Sequence, residues 1–176
     1  MKLGYLTAIL TFLTGTIIFS AYYFTSSDIL LLIGYCYIAL ALIANIFILS
    51  IIVSKRKRDK NKSKSLSASI LIMLLNIPVI LCYCWFTIVL LNTMRITFTN
   101  STNTTIKDLN IIGCKKEHID ELEIGESKTI WISITGDCAI NIDYLTNKEK
   151  KYESVTGYLT SNMGGMKEYE ISLKNR

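Results

Sequence analysis

The hydrophobic positions of this chain follow two different patterns, and the change falls near residue 92. Before it, they form three long runs without a charged residue, at 3–24, 29–53 and 66–92. After it, apolar residues alternate with polar ones in short stretches that end in turn residues. The pattern therefore predicts three helices followed by a region of β-strands.

Each apolar run is long enough for a helix that crosses a bilayer. About 20 residues, at a rise of 1.5 Å each, span a hydrocarbon layer of about 30 Å. A soluble protein would need a large body around three such helices, and a chain of 176 residues does not supply it. We therefore predict a three-helix transmembrane region at 1–92, with the lipid bilayer as its first partner.

A cluster of positive charge in the loop 54–65 predicts the orientation. The net charge of +5 arises almost wholly from it, because residues 93–176 carry eleven basic and twelve acidic side chains. Such a cluster is a topology determinant that stays in the cytoplasm, and it does not indicate nucleic-acid binding. Its members are Lys55, Arg56, Lys57, Arg58, Lys60, Lys62 and Lys64.

The predicted localisation follows from that cluster. The chain is expected to be a multi-pass protein of the plasma (bacterial inner) membrane, with a cytoplasmic N-terminus and an extracytoplasmic C-terminal domain. A cleaved signal peptide at 1–21 is the competing interpretation of the first run. The run is longer than a usual signal core and ends in Tyr22, Tyr23 and Phe24, which are typical of a membrane interface, so retention is favoured.

Small and polar residues inside the runs predict how the helices pack. Thr7, Thr11 and Gly15 share one face of the first helix and allow a neighbour to approach closely. Gly34, with Ala41 or Ala44, can do the same in the second helix.

Two asparagines are the deepest polar residues of the later spans. Asn45 and Asn76 lie at similar predicted depths, so we expect a hydrogen bond between their side chains. Pro78 is expected to kink the third helix.

Residues 93–176 predict a separate domain of six or seven strands, joined to the third span by a linker of about five residues, an ordinary length for a connection. Turn residues recur every eight to twelve positions, as is typical of an antiparallel β-sandwich. The expected fold class is therefore membrane α-helical plus an all-β C-terminal domain, specifically a small immunoglobulin-like (Ig-like) sandwich.

Two short motifs carry a resemblance. The segment 122–127, LEIGES, resembles the L-x-P-G-E-S turn that precedes a strand in many bacterial Ig-like domains, with Ile124 in place of the proline. The segment 155–160, VTGYLT, followed by Gly164 and Gly165, is similar to the ending of uncharacterised membrane-anchored bacterial proteins. The resemblance implies a fold and a bacterial membrane setting, and it carries over no activity.

Candidate functional residues in this half are few. Cys114 and Cys138 can form a disulfide outside the cytoplasm, or they can be two buried free thiols. Trp131 falls on the face opposite Ile130 and Ile132, where it is either available to a protein partner or covered by the linker or lipid headgroups. Asn100 and Asn103 match the N-glycosylation acceptor, a match that Asn- and Thr-rich turns also produce by chance.

The chemistry of catalysis is missing from the sequence. The single histidine, His118, lies among charged residues and has no second histidine with which to build a zinc site. Cys36, Cys82 and Cys84 fit apolar filler, and the spans hold no charged residue for ion coupling. We therefore expect no enzyme, catalytic residue, metal, cofactor or small-molecule substrate.

Two functions fit this layout. The first is binding of a protein partner outside the cytoplasm by the β domain, with an immunity protein against an envelope-acting toxin as one form of it. The second is an accessory or assembly subunit that packs through its helices against a larger membrane complex.

Overall fold

A computed structural model describes residues 2–58, 63–146 and 149–172 of the chain, and their side chains except at 2–3, 56–58 and 63–66. It divides the chain into two compact units, Met1–Phe86 and Thr87–Arg176. The first unit is helical. The second contains the strands together with the last turn of the third helix.

Three long helices follow one another: α1 (Lys2–Thr25), α2 (Asp28–Arg58) and α3 (Ser63–Leu91). Each helix contains a stretch that is long and apolar enough to cross a membrane, and its charged residues lie towards its ends. The connection between α2 and α3 is shorter than the predicted loop 54–65, because α2 continues through the first basic residues of that segment to Arg58. Such continuation is understandable, since Lys and Arg are good helix formers.

Glycines let the helices approach each other. Gly15 lies 3.6 Å from the ring of Tyr37, and Gly34 lies 3.6 Å from Ile18, measured from the position of a Cβ atom built on each glycine. A Cβ atom at Gly4 would lie only 2.7 Å from Ile52. The predicted small-residue faces of α1 and α2 are therefore occupied within this unit.

Seven strands make up the β-rich region. They are β1 (Thr93–Asn100), β2 (Ile106–Gly113), β3 (Glu117–Leu122), β4 (Ser127–Ser133), β5 (Cys138–Thr146), β6 (Glu149–Leu159) and β7 (Gly165–Ile171). The alternating pattern predicts most of them, because a strand that buries one face alternates apolar and polar residues. The central strand β1 differs, since four consecutive residues from Thr93 to Ile96 are all buried.

The strands form two sheets, one of three strands in the order β4-β1-β7 and one of four in the order β3-β2-β5-β6. All pairs are antiparallel except β1 and β7, which run parallel, so the expectation of a purely antiparallel arrangement was wrong. A constant-type Ig domain places its first, second, fifth and fourth strands in one sheet, which is a different order.

The two sheets share one apolar core. Ile96, Phe98 and Ile132 of the three-stranded sheet meet Ile111 and Ile142 of the four-stranded sheet in a single cluster of buried side chains. Burial of such aliphatic side chains contributes roughly 1.5–3 kcal/mol each. This core fixes which side chains of every strand point outward.

The expected linker of about five residues is absent, because α3 ends at Leu91 and β1 begins at Thr93. Asn92 alone lies between them. Its backbone carbonyl accepts a hydrogen bond from the amide of Ile134 at 2.8 Å. The helix end is therefore built into the β-rich unit.

Candidate functional site

A row of hydrogen-bonded polar side chains crosses the outer face of the four-stranded sheet. Asn110 of β2 donates from Nδ2 to Asp143 of β5 at 2.7 Å, and its Oδ1 lies 2.9 Å from Nδ1 of His118 on β3. The row ends at Asp120, 3.1 Å from His118 Nε2, and at Lys150 of β6, 3.0 Å from Asp143. We call these five residues the polar row.

Asn110 sets the direction of the hydrogen bonds in the polar row. Its amide nitrogen donates both to Asp143 and to the backbone carbonyl of Asp108 at 3.0 Å, so its oxygen is left to accept from His118. Asp108 has a positive φ of 51° at a register shift of β2, which is an irregularity of the kind that re-aims side chains.

Asp143 is the charged centre of the polar row. The hydrogen bond from Asn110 and the ammonium group of Lys150 lower the pKa of its carboxyl. Tyr152, 65% exposed, is the register partner of Asp143, and the half-exposed Leu145 is the partner of Lys150. The surface thus combines fixed polar groups with an exposed aromatic side chain.

A second polar cluster links the two sheets. The carboxylate of Glu153 on β6 accepts hydrogen bonds from Tyr144 at 2.5 Å and from Tyr169 of β7 at 2.7 Å. Burial, together with Glu153, raises the pKa of both phenols, so they remain protonated donors. Lys167 of β7 also donates to the carbonyl of Val155 at 2.6 Å. Each group has its partner, so this cluster has a structural role.

Trp131 lies on the outer face of the three-stranded sheet and is 44% exposed. It is the register partner of Arg95, whose guanidinium carbon lies 5.4 Å from the centre of the indole ring. That distance is within the range of a cation–π interaction. Arg95 itself is buried, whereas the indole ring of Trp131 is exposed at this part of the face.

Cys114 and Cys138 are joined in a disulfide, with 5.0 Å between their Cα atoms. They lie at the end of β2 and the start of β5, which are neighbouring strands. Gly113 beside them has a φ of 135°, and a side chain there would collide with the carbonyl of Ala139. The backbone of this corner therefore requires glycine.

The predicted hydrogen bond between Asn45 and Asn76 does not form. Asn45 donates to the carbonyl of Ala41 in its own helix, whereas Asn76 donates to α1, to Thr11 Oγ1 at 2.9 Å and to the carbonyl of Ala8 at 3.1 Å. Similar depth was not sufficient, because the two amides lie on faces that do not meet. Tyr37 of α2 also donates to the carbonyl of Thr11, at 3.0 Å.

Thr11 is thus the residue at which all three helices are connected. Tyr83 of α3 adds a further link, since its hydroxyl lies 2.7 Å from that of Thr16. The sequence signal for this role is the Thr7, Thr11 and Gly15 face, which predicts close packing but not these hydrogen bonds.

Five of the seven residues that were predicted to determine topology lie at the end of α2 or the start of α3. Lys55, Arg56, Lys57 and Arg58 are in the last turns of α2, and Lys64 is in the first turn of α3. The side chains of Arg56, Lys57, Arg58 and Lys64 lie outside the described residues, as do Lys60 and Lys62 entirely. Among the residues that the structure describes, no group of three or more His, Cys, Asp or Glu could hold a metal ion.

Of the two glycosylation motifs, the first is built into the fold. Asn100 is fully buried, and its Nδ2 donates to the carbonyls of Thr104 and Leu122, each at 2.9 Å. Its Oδ1 accepts from the amide and the hydroxyl of Thr102. A glycan on Asn100 would break these bonds, whereas Asn103 is exposed.

Comparison with known proteins gives little. The chain matches no protein-family model and no curated protein. One solved structure that it resembles is described as the NMR structure of the protein from Eubacterium rectale, with 20% sequence identity, a TM-score of 0.39, and coverage of 48% of this chain and 81% of that chain. Neither fold nor function follows from a similarity of that size.

Proposed function

We propose that this chain is a multi-pass membrane protein whose β domain lies outside the cytoplasm and binds a protein partner at the membrane surface. The length and apolar character of the three helices support insertion, and the basic cluster that begins in the last turns of α2 supports a cytoplasmic N-terminus. We propose that the β domain is Ig-like only in its architecture of two layers around one core. Its strand order differs from that of an Ig domain.

The disulfide supports the outer location of the β domain. Disulfides persist in oxidising compartments and are rare in the cytosol. The pair Cys114 and Cys138 lies in the β domain, whereas the three free cysteines lie in the helices.

The polar row with Tyr152 beside it is the observation that carries partner binding. A surface whose polar groups are already fixed loses less conformational entropy when a partner arrives. Tyrosine is enriched at binding hot spots, and the exposed Tyr152 stands next to the charge of Asp143. We therefore propose that the outer face of the four-stranded sheet makes the contact, by binding and without catalysis.

The packing of the helices favours this site over helix-mediated assembly. Gly15 and Gly34 already contact Tyr37 and Ile18, so these close-approach positions are occupied within the helical unit. A partner helix that required them would have to displace an existing neighbour.

An envelope-acting toxin is one partner of the proposed class. An immunity protein would bind such a toxin on the extracytoplasmic side of the plasma membrane before the toxin acts. Cells that make the full chain would then survive the toxin, and the Tyr152→Ala variant would lose that protection while the protein stays in the membrane.

One observation supports the alternative function, that of an accessory subunit. An apolar groove runs between α1 and α3, lined by Ala8, Ile9, Phe12, Ile72, Leu75, Asn76 and Val79. A helix of a larger complex could occupy it.

Site-specific photocrosslinking in native membranes separates the two functions. A crosslinking amino acid is placed at Tyr152 on the four-stranded sheet, at Glu168 on the other sheet as a matched exposed control, and at Ile9 in the groove. We expect a protein adduct from position 152 and none from 168 or 9.

An adduct from position 9 alone would support the accessory subunit and contradict the proposed site. The Asp143→Ala substitution, which removes the centre of the polar row, should abolish the adduct at 152. Equal adducts at 152 and 168 would show that the contact is not confined to the proposed face.

A further inference from the structure

We propose that Trp131, Met163 and Met166 of the β domain are seated in the headgroup layer of the bilayer that α3 crosses. This inference rests on the proposed membrane insertion and adds a lipid contact that is separate from the partner site. We call these three residues the apolar rim.

Hydrogen bonds place the turn before β7 at the level of the helix end. The amide of Gly164 donates to the carbonyl of Leu91 at 2.7 Å, and the amide of Asn162 lies 3.2 Å from Oδ1 of Asn92. Gly164 fits so closely that a Cβ atom there would lie 2.6 Å from the carbonyl oxygen of Leu91. Met163, between these two anchored residues, therefore lies where the apolar stretch of α3 ends.

Strand register places the other two members slightly further along. Trp131 and Met166 are both register partners of Arg95, two residues after the first residue of β1. Two residues of strand correspond to roughly 7 Å. The polar layer on each side of a bilayer is roughly 5–8 Å thick, so both side chains lie within reach of it.

The apolar rim is exposed, and its side chains are of kinds that suit the interface between a membrane and water. Trp131 is 44% exposed, and Met163 and Met166 are each 48% exposed. An indole ring has an apolar body and a polar N–H, which is why tryptophan is enriched at the headgroup level of membrane proteins. Methionine is flexible and polarisable, and it adapts to an irregular surface.

Polarity along the same face changes with distance from the helix end. Beyond the apolar rim the face carries hydroxyl pairs, Thr97 with Thr129 and Thr99 with Ser127, each at 2.8 Å. Glu168 and Glu170 of β7 are also exposed there. A lipid layer accounts for a gradient that follows depth, whereas a protein contact would not have to follow it.

Depth-dependent fluorescence quenching tests the inference on the full chain in nanodiscs of phosphatidylcholine and phosphatidylglycerol. The chain has two tryptophans, so Trp85→Phe isolates Trp131 and Trp131→Phe isolates Trp85. The spin-label quencher is carried either on the lipid headgroup or deep in the acyl chain. We expect Trp131 to lose fluorescence to the headgroup label and to lose less to the deep label.

Two controls define the outcomes. Trp85, six residues before the end of α3, should lose fluorescence to acyl-chain labels. A tryptophan at position 152, in a chain with Trp85→Phe, Trp131→Phe and Tyr152→Trp, should lose none. Quenching of Trp85 without quenching of Trp131 would overturn this inference alone and return Trp131 to the role of a protein contact. If Trp85 is not quenched either, membrane insertion fails, and the inference fails with it.

Discussion

Single asparagines connect several parts of the β domain because their amides donate and accept at once. Asn110 joins three strands of one sheet, and Asn100 joins the turn after β1 to the end of β3. Neither role was visible in the sequence. Asparagine is common in turns, and only the strand register shows which groups it faces.

Asn100→Ala should destabilise the β domain by roughly 3 kcal/mol, because it removes the buried hydrogen bonds that Asn100 makes to the carbonyl of Leu122 and to the amide of Thr102. Asn103→Ala, at an exposed position of the same turn, should change the stability by less than about 0.5 kcal/mol. Urea unfolding of the full chain in detergent, monitored through a signal of the disulfide-containing β domain, measures the difference in stability. Equal effects of the two substitutions would contradict the assigned role of Asn100.

Asp143 should make stability depend on pH. The folded-state pKa of its carboxyl lies below the ordinary value of 3.8, so its stabilising contribution is present above that value and is lost as the pH falls through the folded pKa. Asp143→Asn should therefore lower the melting temperature at pH 7, and the gap from wild type should shrink towards pH 3. Glu168→Gln, an exposed carboxylate on the other sheet, is the control and should show no such convergence.

At the scale of elements, the sequence predicted the type of each secondary-structure element better than the contacts between elements. Three helices follow from the length of the uncharged apolar runs, and six or seven strands follow from the alternation of apolar and polar residues. The partner of Asn76 did not follow, because depth along a helix says nothing about its rotation. The parallel pairing of β1 and β7 was missed for a similar reason, since alternation is the same in either direction.

Asn76→Leu should weaken the association of the helices by about 0.6 kcal/mol and by no more than about 1.7 kcal/mol, the average and the maximum measured for hydrogen bonds between membrane helices. Asn45→Leu is a matched control, because Asn45 donates to the carbonyl of Ala41 within its own helix. Unfolding of the full chain in mixed detergent, followed by its helical signal, provides the comparison. A larger loss from Asn45→Leu would show that the α1 contacts of Asn76 are unimportant.

Gly113→Ala should disturb the pairing of β2 with β5. The positive φ and the collision with the Ala139 carbonyl together should cost at least about 2 kcal/mol. Gly136→Ala, where an added Cβ meets nothing within 4 Å, should be close to neutral. Thermal unfolding of both variants measures the contrast, and a stable Gly113→Ala protein would argue against the described backbone.

At the scale of the whole molecule, the division into an apolar front and a β-rich rear was predictable because each half has its own composition. The polar row was not, since its five members are spread over 40 positions of sequence and meet only through strand register. The sequence alone leaves the pairing of the cysteines open for the same reason. Two neighbouring strand ends bring Cys114 and Cys138 together, and the order of strands in a sheet is not contained in the alternation pattern.

The disulfide gives a prediction for the chain in cells. Of its five cysteines, three are free and two are paired. Alkylation of the acid-quenched, denatured protein with a polyethylene glycol maleimide should therefore add three groups before reduction and five after it. Five groups without reduction would contradict both the pairing and the proposed outer location. Replacing the pair by serines should lower stability by about 3 kcal/mol.

The junction at Asn92 has a consequence for how the proposed protein partner, the ligand of the β domain, would be captured. A receptor on a long flexible tether sweeps a volume of solution, whereas one interposed residue gives the β domain almost no radius of its own to search. Encounters would then depend on lateral diffusion in the plane of the lipid and on how close the ligand can come to it. A ligand held several nanometres away by a thick surface coat would pass undetected, and lengthening the junction with glycine and serine should extend the reach at the expense of that selectivity.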